Sequence, residues 1–172
     1  MQMFDTIDYL STGNERQKSA YATLTKYGLM KALSGYDPIL TGTIPINIAI
    51  DSSDLDIICC YKDAEDFVLM LKKCFEHLEG FACHYNKAGE QVTANFMLDG
   101  WEIEIFGQPI PTQLQYAYRH MIVEYNLLKL YGEKFRQRII DLKKDGHKTE
   151  PAFAIALGLQ GDPYQALLAL NI

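Results

Sequence analysis

Two aspartates, Asp54 and Asp56, stand one residue apart at the entrance to an apolar run made of Leu55 and Ile57-Ile58-Cys59-Cys60. On a strand alternate side chains share a face, so both carboxylates point the same way. Paired carboxylates repel and resist desolvation, which a cation or a proton relieves. Upstream, Gly42-Thr43 follows the short apolar piece Ile39-Leu40. Glycine permits close backbone approach, and exposed amides beside a hydroxyl can hold phosphate oxygens. Downstream, the segment Trp101 to Phe106 places Glu102 and Glu104 on one face. A third carboxylate from that segment would complete a divalent-cation site. Each feature also has a plainer reading. Asp54 closes a loop-like Asp51-Ser52-Ser53-Asp54 run, and the two glutamates suit the solvated face of an edge strand. The spacing from Gly42 favours chemistry for the aspartates; the glutamates stay open between the two readings.

These residues need elements to carry them. Residues 1–13 read as a lead-in. Asn14 with Gln17 forms a capping-box pattern that opens a helix, with apolar positions recurring to Leu33 and Gly35 as its stop. Ile39-Leu40 reads as a first strand, Leu55 to Tyr61 as a second. Between them isoleucines alternate at 44, 46, 48 and 50, but Pro45 argues against a central strand, and the linker reads as irregular or extended. Asp63 caps a helix to about His77. Phe81 to Tyr85 and Gln91 to Leu98 read as strands. Asp99-Gly100 marks a two-residue hairpin turn into the Trp101 strand. Gly107 to Pro111 ends the strands. Thr112 with Gln115 suggests a second capping box, opening a helix to about Tyr131. Helices then follow near Glu133 to Lys144, from Thr149 to Leu159, and from Pro163 behind an Asp162 cap. The expected class is α+β: residues 1–111 form an α/β core and 112–172 a helical C-terminal part of one domain. A third acid reaches Asp56 only if the strand after Asp99-Gly100 lies beside the Leu55 strand.

The chain has 172 residues, 48% hydrophobic and 22% charged, enough to bury a full core. A net charge of −6 weighs against a nucleic-acid partner, because phosphate backbones are held by many Lys and Arg side chains. No apolar run is long enough to span a bilayer, and the acidic N-terminus lacks a signal-peptide pattern, so the expected place is the cytoplasm. The four cysteines lack zinc-site spacing and read as small buried hydrophobes. Arg119 and His120 open the long helix just after the sheet and would suit a phosphate or an acceptor at the edge of the site. A surface ion pair for Arg119 and a structural hydrogen bond for His120 are equally natural. Tyr116, Tyr118 and Tyr125 recur at helical spacing and read as packing.

Gly42-Thr43, then ten residues, then Asp54-Leu55-Asp56-Ile57 resembles the signature of the nucleotidyltransferase superfamily, the fold of DNA polymerase beta and the aminoglycoside nucleotidyltransferases. Thr43 stands where that pattern usually has serine. More closely, LTGTIPINIAIDSSDLDI, EIFGQPIP and AYRHMIVEY resemble a bacterial family known only as a domain of unknown function, itself related to GrpB-like proteins. The resemblance implies a mixed β-sheet flanked by helices, with the carboxylates at its open edge. It implies two Mg²⁺ ions between the acids and a nucleoside triphosphate. Asp54 and Asp56 would bind both ions, Glu104 or Glu102 the catalytic one. Gly42 and Thr43 would hold the terminal phosphates, with Arg119 and His120 as further nucleotide contacts. The product would be a nucleoside monophosphate joined to a hydroxyl of a small molecule or protein. A non-catalytic nucleotide- or protein-binding module of the same fold is the competing expectation. The lack of a Lys/Arg cluster near Gly42 speaks for it.

Overall fold

The computed structural model describes residues 4–170 and Ile172. Five strands form one mixed sheet in the order β1-β2-β5-β4-β3. They are β1 (Ile39–Thr41), β2 (Leu55–Cys60), β3 (Ala82–Asn86), β4 (Gln91–Leu98) and β5 (Trp101–Gln108). β1 pairs antiparallel with β2, while β2 runs parallel to β5. β5 and β4 form the hairpin that Asp99-Gly100 announces, and both turn residues take positive φ, 48° and 82°. Such a turn matches the twist of the two strands it joins.

The helices are α1 (Glu15–Lys26), α2 (Leu29–Ala32), α3 (Ala64–Phe75), α4 (Tyr116–Lys144), α5 (Thr149–Leu157) and α6 (Pro163–Leu168). Several begin where local chemistry dictates. Asn14 and Gln17 form the full capping box of α1. Asp63 and Asp162 each accept the backbone N–H three residues on, at the starts of α3 and α6. Two expectations are corrected. The first helix is not continuous to Leu33, because Gly28 turns left-handed at φ 62° and separates α1 from α2. Thr112 does not cap α4. Its hydroxyl donates to Asp37 Oδ2 at 2.6 Å, residues Thr112–Leu114 form a 3-10 turn, and α4 begins at Tyr116. The lead-in is also structured: Asp8–Thr12 is a 3-10 turn whose Leu10 is fully buried.

The sheet separates two cores. Leu40, Leu55, Ile57, Cys59, Ile103 and Ile105 pack on one face with residues of α1, α2 and α3. On the other face Ile39 and Ile58 meet Met121, Leu127 and Leu128 of α4 and Phe153 of α5. Burying each such side chain stabilises the fold by about 1.5–3 kcal/mol. The linker between β1 and β2 is irregular, as expected. Its isoleucines divide between the cores: Ile44 joins the first, Ile46 and Ile48 the second. α4 is interrupted at Gly132, where φ 72° and ψ −163° are not helical. The chain therefore leaves the sheet along the first half of α4 and turns before the second half, which carries Lys143. No helix among the described residues is long and apolar enough to cross a membrane.

Candidate functional site

The antiparallel register sets Thr41 opposite Asp56, and the parallel register sets Asp56 opposite Glu104. Gly42 therefore follows β1 beside the Asp56 carboxylate. Its φ is +75°, a conformation that favours glycine, and a Cβ there would overlap Asp56 Oδ2 and lie 3.3 Å from its Cγ. Asn95, the β4 partner of Glu104, donates from Nδ2 to Glu104 Oε2 at 3.3 Å.

The ten-residue linker closes on itself. Thr43 Oγ1 donates to Ser53 Oγ at 3.2 Å, and Ser53 Oγ also accepts the Ile50 N–H at 3.0 Å. Ile48 N–H donates to Thr43 O at 3.1 Å. Distant side chains hold the loop from outside. Gln17 Nε2 donates to Ile44 O, Arg136 to Ile46 O and Asn47 O, and Arg16 to Asp51 O and Ser53 O, at 2.7 to 3.1 Å. Loop carbonyls thus find partners that no strand ladder supplies. The Gly42-Thr43 turn and Asp54 become neighbours at the mouth of one cleft.

That cleft has a volume of about 660 Å³. The sheet side contributes Gly42, Thr43, Asp54, Asp56 and Glu104; the helical side contributes Tyr116, His120, Glu124, Lys143, Glu150 and Tyr164. Of the residues singled out from sequence, Gly42, Thr43, Asp54, Asp56, Glu104 and His120 are brought together here. Two are not. Glu102 is exposed and lines a neighbouring polar cleft with Arg16, Trp101 and Asp54. Arg119 is exposed, sits over the Tyr116 ring at 5.6 Å, and is not among the cleft-lining residues. His120 Nε2 lies 3.0 Å from Tyr164 O, which fixes the ring against α6. Of the three tyrosines read as packing, Tyr118 is buried, whereas Tyr116 is 60% exposed and borders the cleft.

Three charged cleft residues were not singled out from sequence: Glu124, Lys143 and Glu150. Glu124 and Lys143 are only 3% and 6% exposed. Glu124 carried a detectable signal, a charge within the apolar stripe His120, Met121, Leu127 and Leu128 of α4. Lys143 likewise follows the buried Ile139 by one helical turn. The charges perturb one another. Burial, then Asp54 and Glu104, push the Asp56 carboxyl up to about 7. Burial, then Glu150, push Glu124 up to about 8, against the pull of Lys143. Burial draws Lys143 down to about 8, against the carboxylates Glu124, Asp54, Glu150 and Asp56.

Hard carboxylate oxygens suit Mg²⁺, and a cation would offset both the burial of Asp56 and its repulsion from Asp54 and Glu104. Among the described residues no three His, Cys, Asp or Glu side chains are gathered closely enough to hold a metal by themselves. Mg²⁺ sites built from one or two carboxylates with substrate phosphates need no such cage.

A family model described as a domain of unknown function (DUF4269) matches residues 22–170. The chain belongs to the DUF4269 family. No curated protein matches it by sequence. Solved structures do match its fold. The Cid1 poly(U) polymerase with bound MgGTP gives a TM-score of 0.60 at 13% identity, over 81% of this chain and 48% of that one. A cytoplasmic RNA terminal U-transferase gives 0.54 at 16% identity, over 76% and 38%. The GLD-2/RNP-8 complex gives 0.56 at 11% identity, over 87% and 57%. This DUF4269 chain therefore has a nucleotidyltransferase-like fold and spans about half the length, or less, of the first two.

Proposed function

We propose that this DUF4269 protein is a Mg²⁺-dependent nucleotidyltransferase that moves a nucleoside monophosphate from a nucleoside triphosphate to a hydroxyl of a small-molecule or protein acceptor. The observation that carries the reading is the register. Asp56 and Glu104 are cross-strand partners, and Gly42 abuts Asp56 in the same cleft. Asp54, Asp56 and Glu104 would hold two ions. Glu104 is the better third acid, because Glu102 faces the neighbouring cleft. Bound Mg²⁺ would neutralise phosphoryl oxygens and lower the pKa of the attacking hydroxyl.

The backbone of Gly42-Thr43 would cradle the terminal phosphates. Lys143 supplies the positive charge that the sequence near Gly42 lacks, and a triphosphate would restore full protonation to its ammonium. The acceptor oxygen would bond to the α-phosphorus as the bond to the bridging oxygen breaks and pyrophosphate leaves. His120 lines the wall, and Arg119 is not among the lining residues. A net charge of −6 and an acid-lined cleft argue for an acceptor other than nucleic acid, unlike the RNA terminal U-transferase relative. The composition fits a cytoplasmic, single-domain protein. Kinship with GrpB-like proteins is proposed only through the family that the three sequence motifs resemble.

One observation favours the second reading, a nucleotide- or protein-binding module: the sequence around Gly42 carries no Lys/Arg cluster for a triphosphate. Thermal melting with Mg²⁺ and each nucleoside triphosphate decides between the readings. Ligand at about a hundredfold its dissociation constant stabilises a protein by about 2.7 kcal/mol, which a melt resolves. A Mg²⁺-dependent shift followed by pyrophosphate release with an acceptor supports transfer. A shift without release supports a nucleotide-binding module, and no shift under any combination supports a partner-binding one.

A further inference from the structure

Glu124 is the least accessible charged residue of the cleft wall, at 3% exposure. Its carboxyl makes no hydrogen bond or ion pair with another described residue. Lys143, the neighbouring cation on the same wall, is not within ion-pair distance of it and is itself unpaired among the described residues. The side chain is packed into the wall while its carboxyl opens on the cleft, so a ligand that donates hydrogen bonds there replaces only cleft water. A fold keeps such a group readily where a ligand completes it.

The chemistry of the missing partner is constrained. A carboxyl accepts hydrogen bonds through its oxygens whether or not it holds a proton, and ionised phosphate oxygens have no hydrogen to give it. Within a nucleoside triphosphate only the ribose hydroxyls and the base N–H groups can donate. Lys143 lines the same cleft as Asp54 and Asp56 of the sheet side and Glu124 of the helical side. A ligand whose phosphates meet Gly42 and Asp56 on the sheet side turns its nucleoside end to the helical side, which carries Glu124. Aromatic rings line the wall beside Glu124. Tyr116 and His120 stack at 6.2 Å, two turns and one turn before Glu124 on α4. Tyr164 meets His120 edge-on at 5.9 Å.

Resting on the proposed nucleotide reading, we infer that Glu124 is the specificity-determining residue for the nucleoside, accepting hydrogen bonds from its ribose hydroxyls or base N–H groups. The phosphates and Mg²⁺ then contribute affinity that is indifferent to the nucleoside, and Glu124 contributes selectivity.

Titration calorimetry with Mg²⁺ and three probe sets tests this: the four ribonucleoside triphosphates, their 2′-deoxy forms, and inorganic tripolyphosphate. Wild type should bind at least one nucleotide more tightly than tripolyphosphate. Glu124→Gln should weaken that nucleotide by about tenfold or more, since 1.4 kcal/mol is a factor of ten, and leave tripolyphosphate unchanged. A loss that vanishes with 2′-deoxynucleotides identifies the ribose as the source; a loss confined to one base identifies the base. Equal effects on nucleotide and tripolyphosphate, or no effect on either, overturn the inference. Glu124→Asp, which retains the charge and withdraws it by one methylene, should show the same selective loss if Glu124→Gln fails to fold. Wild type that binds neither nucleotide nor tripolyphosphate refutes the nucleotide reading itself, and the inference falls with it.

Discussion

Gly42 and Asp56 are in contact across the β1–β2 pairing, and the contact leaves no room for a side chain on Gly42. A Cβ would strike Asp56 Oδ2, and φ +75° would strain any L side chain placed there. Gly42→Ala should therefore destabilise the fold by about 1–3 kcal/mol and displace the Asp56 carboxylate. Urea unfolding measures the first effect, and the Mg²⁺-dependent melting shift with nucleotide measures the second. Unchanged values in both would show that the β1 turn is not fitted to Asp56.

Asp56→Asn removes a charge whose carboxyl is already raised to about 7 by burial and by Asp54 and Glu104. Side-chain size stays the same while the repulsion disappears. Apo stability at pH 7–8 should stay level or rise. The stabilisation by Mg²⁺ with nucleotide should be lost. An apo-destabilised variant that still responds fully to Mg²⁺ and nucleotide would make Asp56 a structural residue.

The pH profile follows from the same shifts. Asp56 and Glu124 are held near 7 and 8 when folded, against ordinary carboxylate values near 4. Between those values the folded chain keeps protons that the unfolded chain has released. Their contribution is thus full below about pH 4 and is lost as pH rises through about 7 and 8. Lys143 has the opposite sign. Its folded value near 8 lies below the ordinary 10.5, so above pH 8 the unfolded chain holds the extra proton and stability rises with pH. Urea midpoints measured from pH 5 to 10 should fall to a minimum near pH 8 and then recover. Asp56→Asn should flatten the descending limb. A flat wild-type profile from pH 5 to 8 would contradict the coupled cluster.

Arg136 reaches from the second half of α4 to the carbonyls of Ile46 and Asn47. Arg136→Ala should destabilise the protein by about 1–3 kcal/mol. Amide exchange should quicken in the loop between β1 and β2 before it quickens in β2 or β5. Faster exchange spread evenly over the sheet would mean that the arginine supports the whole fold instead.

Gly107 ends the apolar part of β5 directly over the Phe67 ring of α3, where a Cβ would overlap the ring. Gly107→Ala should cost about 1–3 kcal/mol through overpacking. A change within about 0.5 kcal/mol in urea unfolding would show that Phe67 can withdraw freely.

Much of this protein is legible in the chain because the relevant physics is short-ranged. The Asn14–Gln17 box, the Asp162-Pro163 start and the Asp99-Gly100 turn each involve backbone groups within a few residues, so local side chains dictate them. The period of two along a strand puts Asp54 with Asp56, and Glu102 with Glu104, on spacing alone. The need for a third acid beside Asp56 anticipates that β5 lies beside β2, and the structure makes that pairing parallel. Tertiary structure decides the rest. Thr112 prefers Asp37, 75 residues away, to its local cap, because a short bond to a carboxylate outweighs one to a neighbouring amide. Glu104 is selected over Glu102 by where the cleft opens, although both occupy the same face. Above all, Glu124 reaches the cleft because the first half of α4 packs on the sheet, and Lys143 joins it after the break of α4 at Gly132. Helical periodicity shows that each sits on a buried face. Which charges it meets there depends on the packing of segments far apart in the chain, and no spacing along the sequence encodes that.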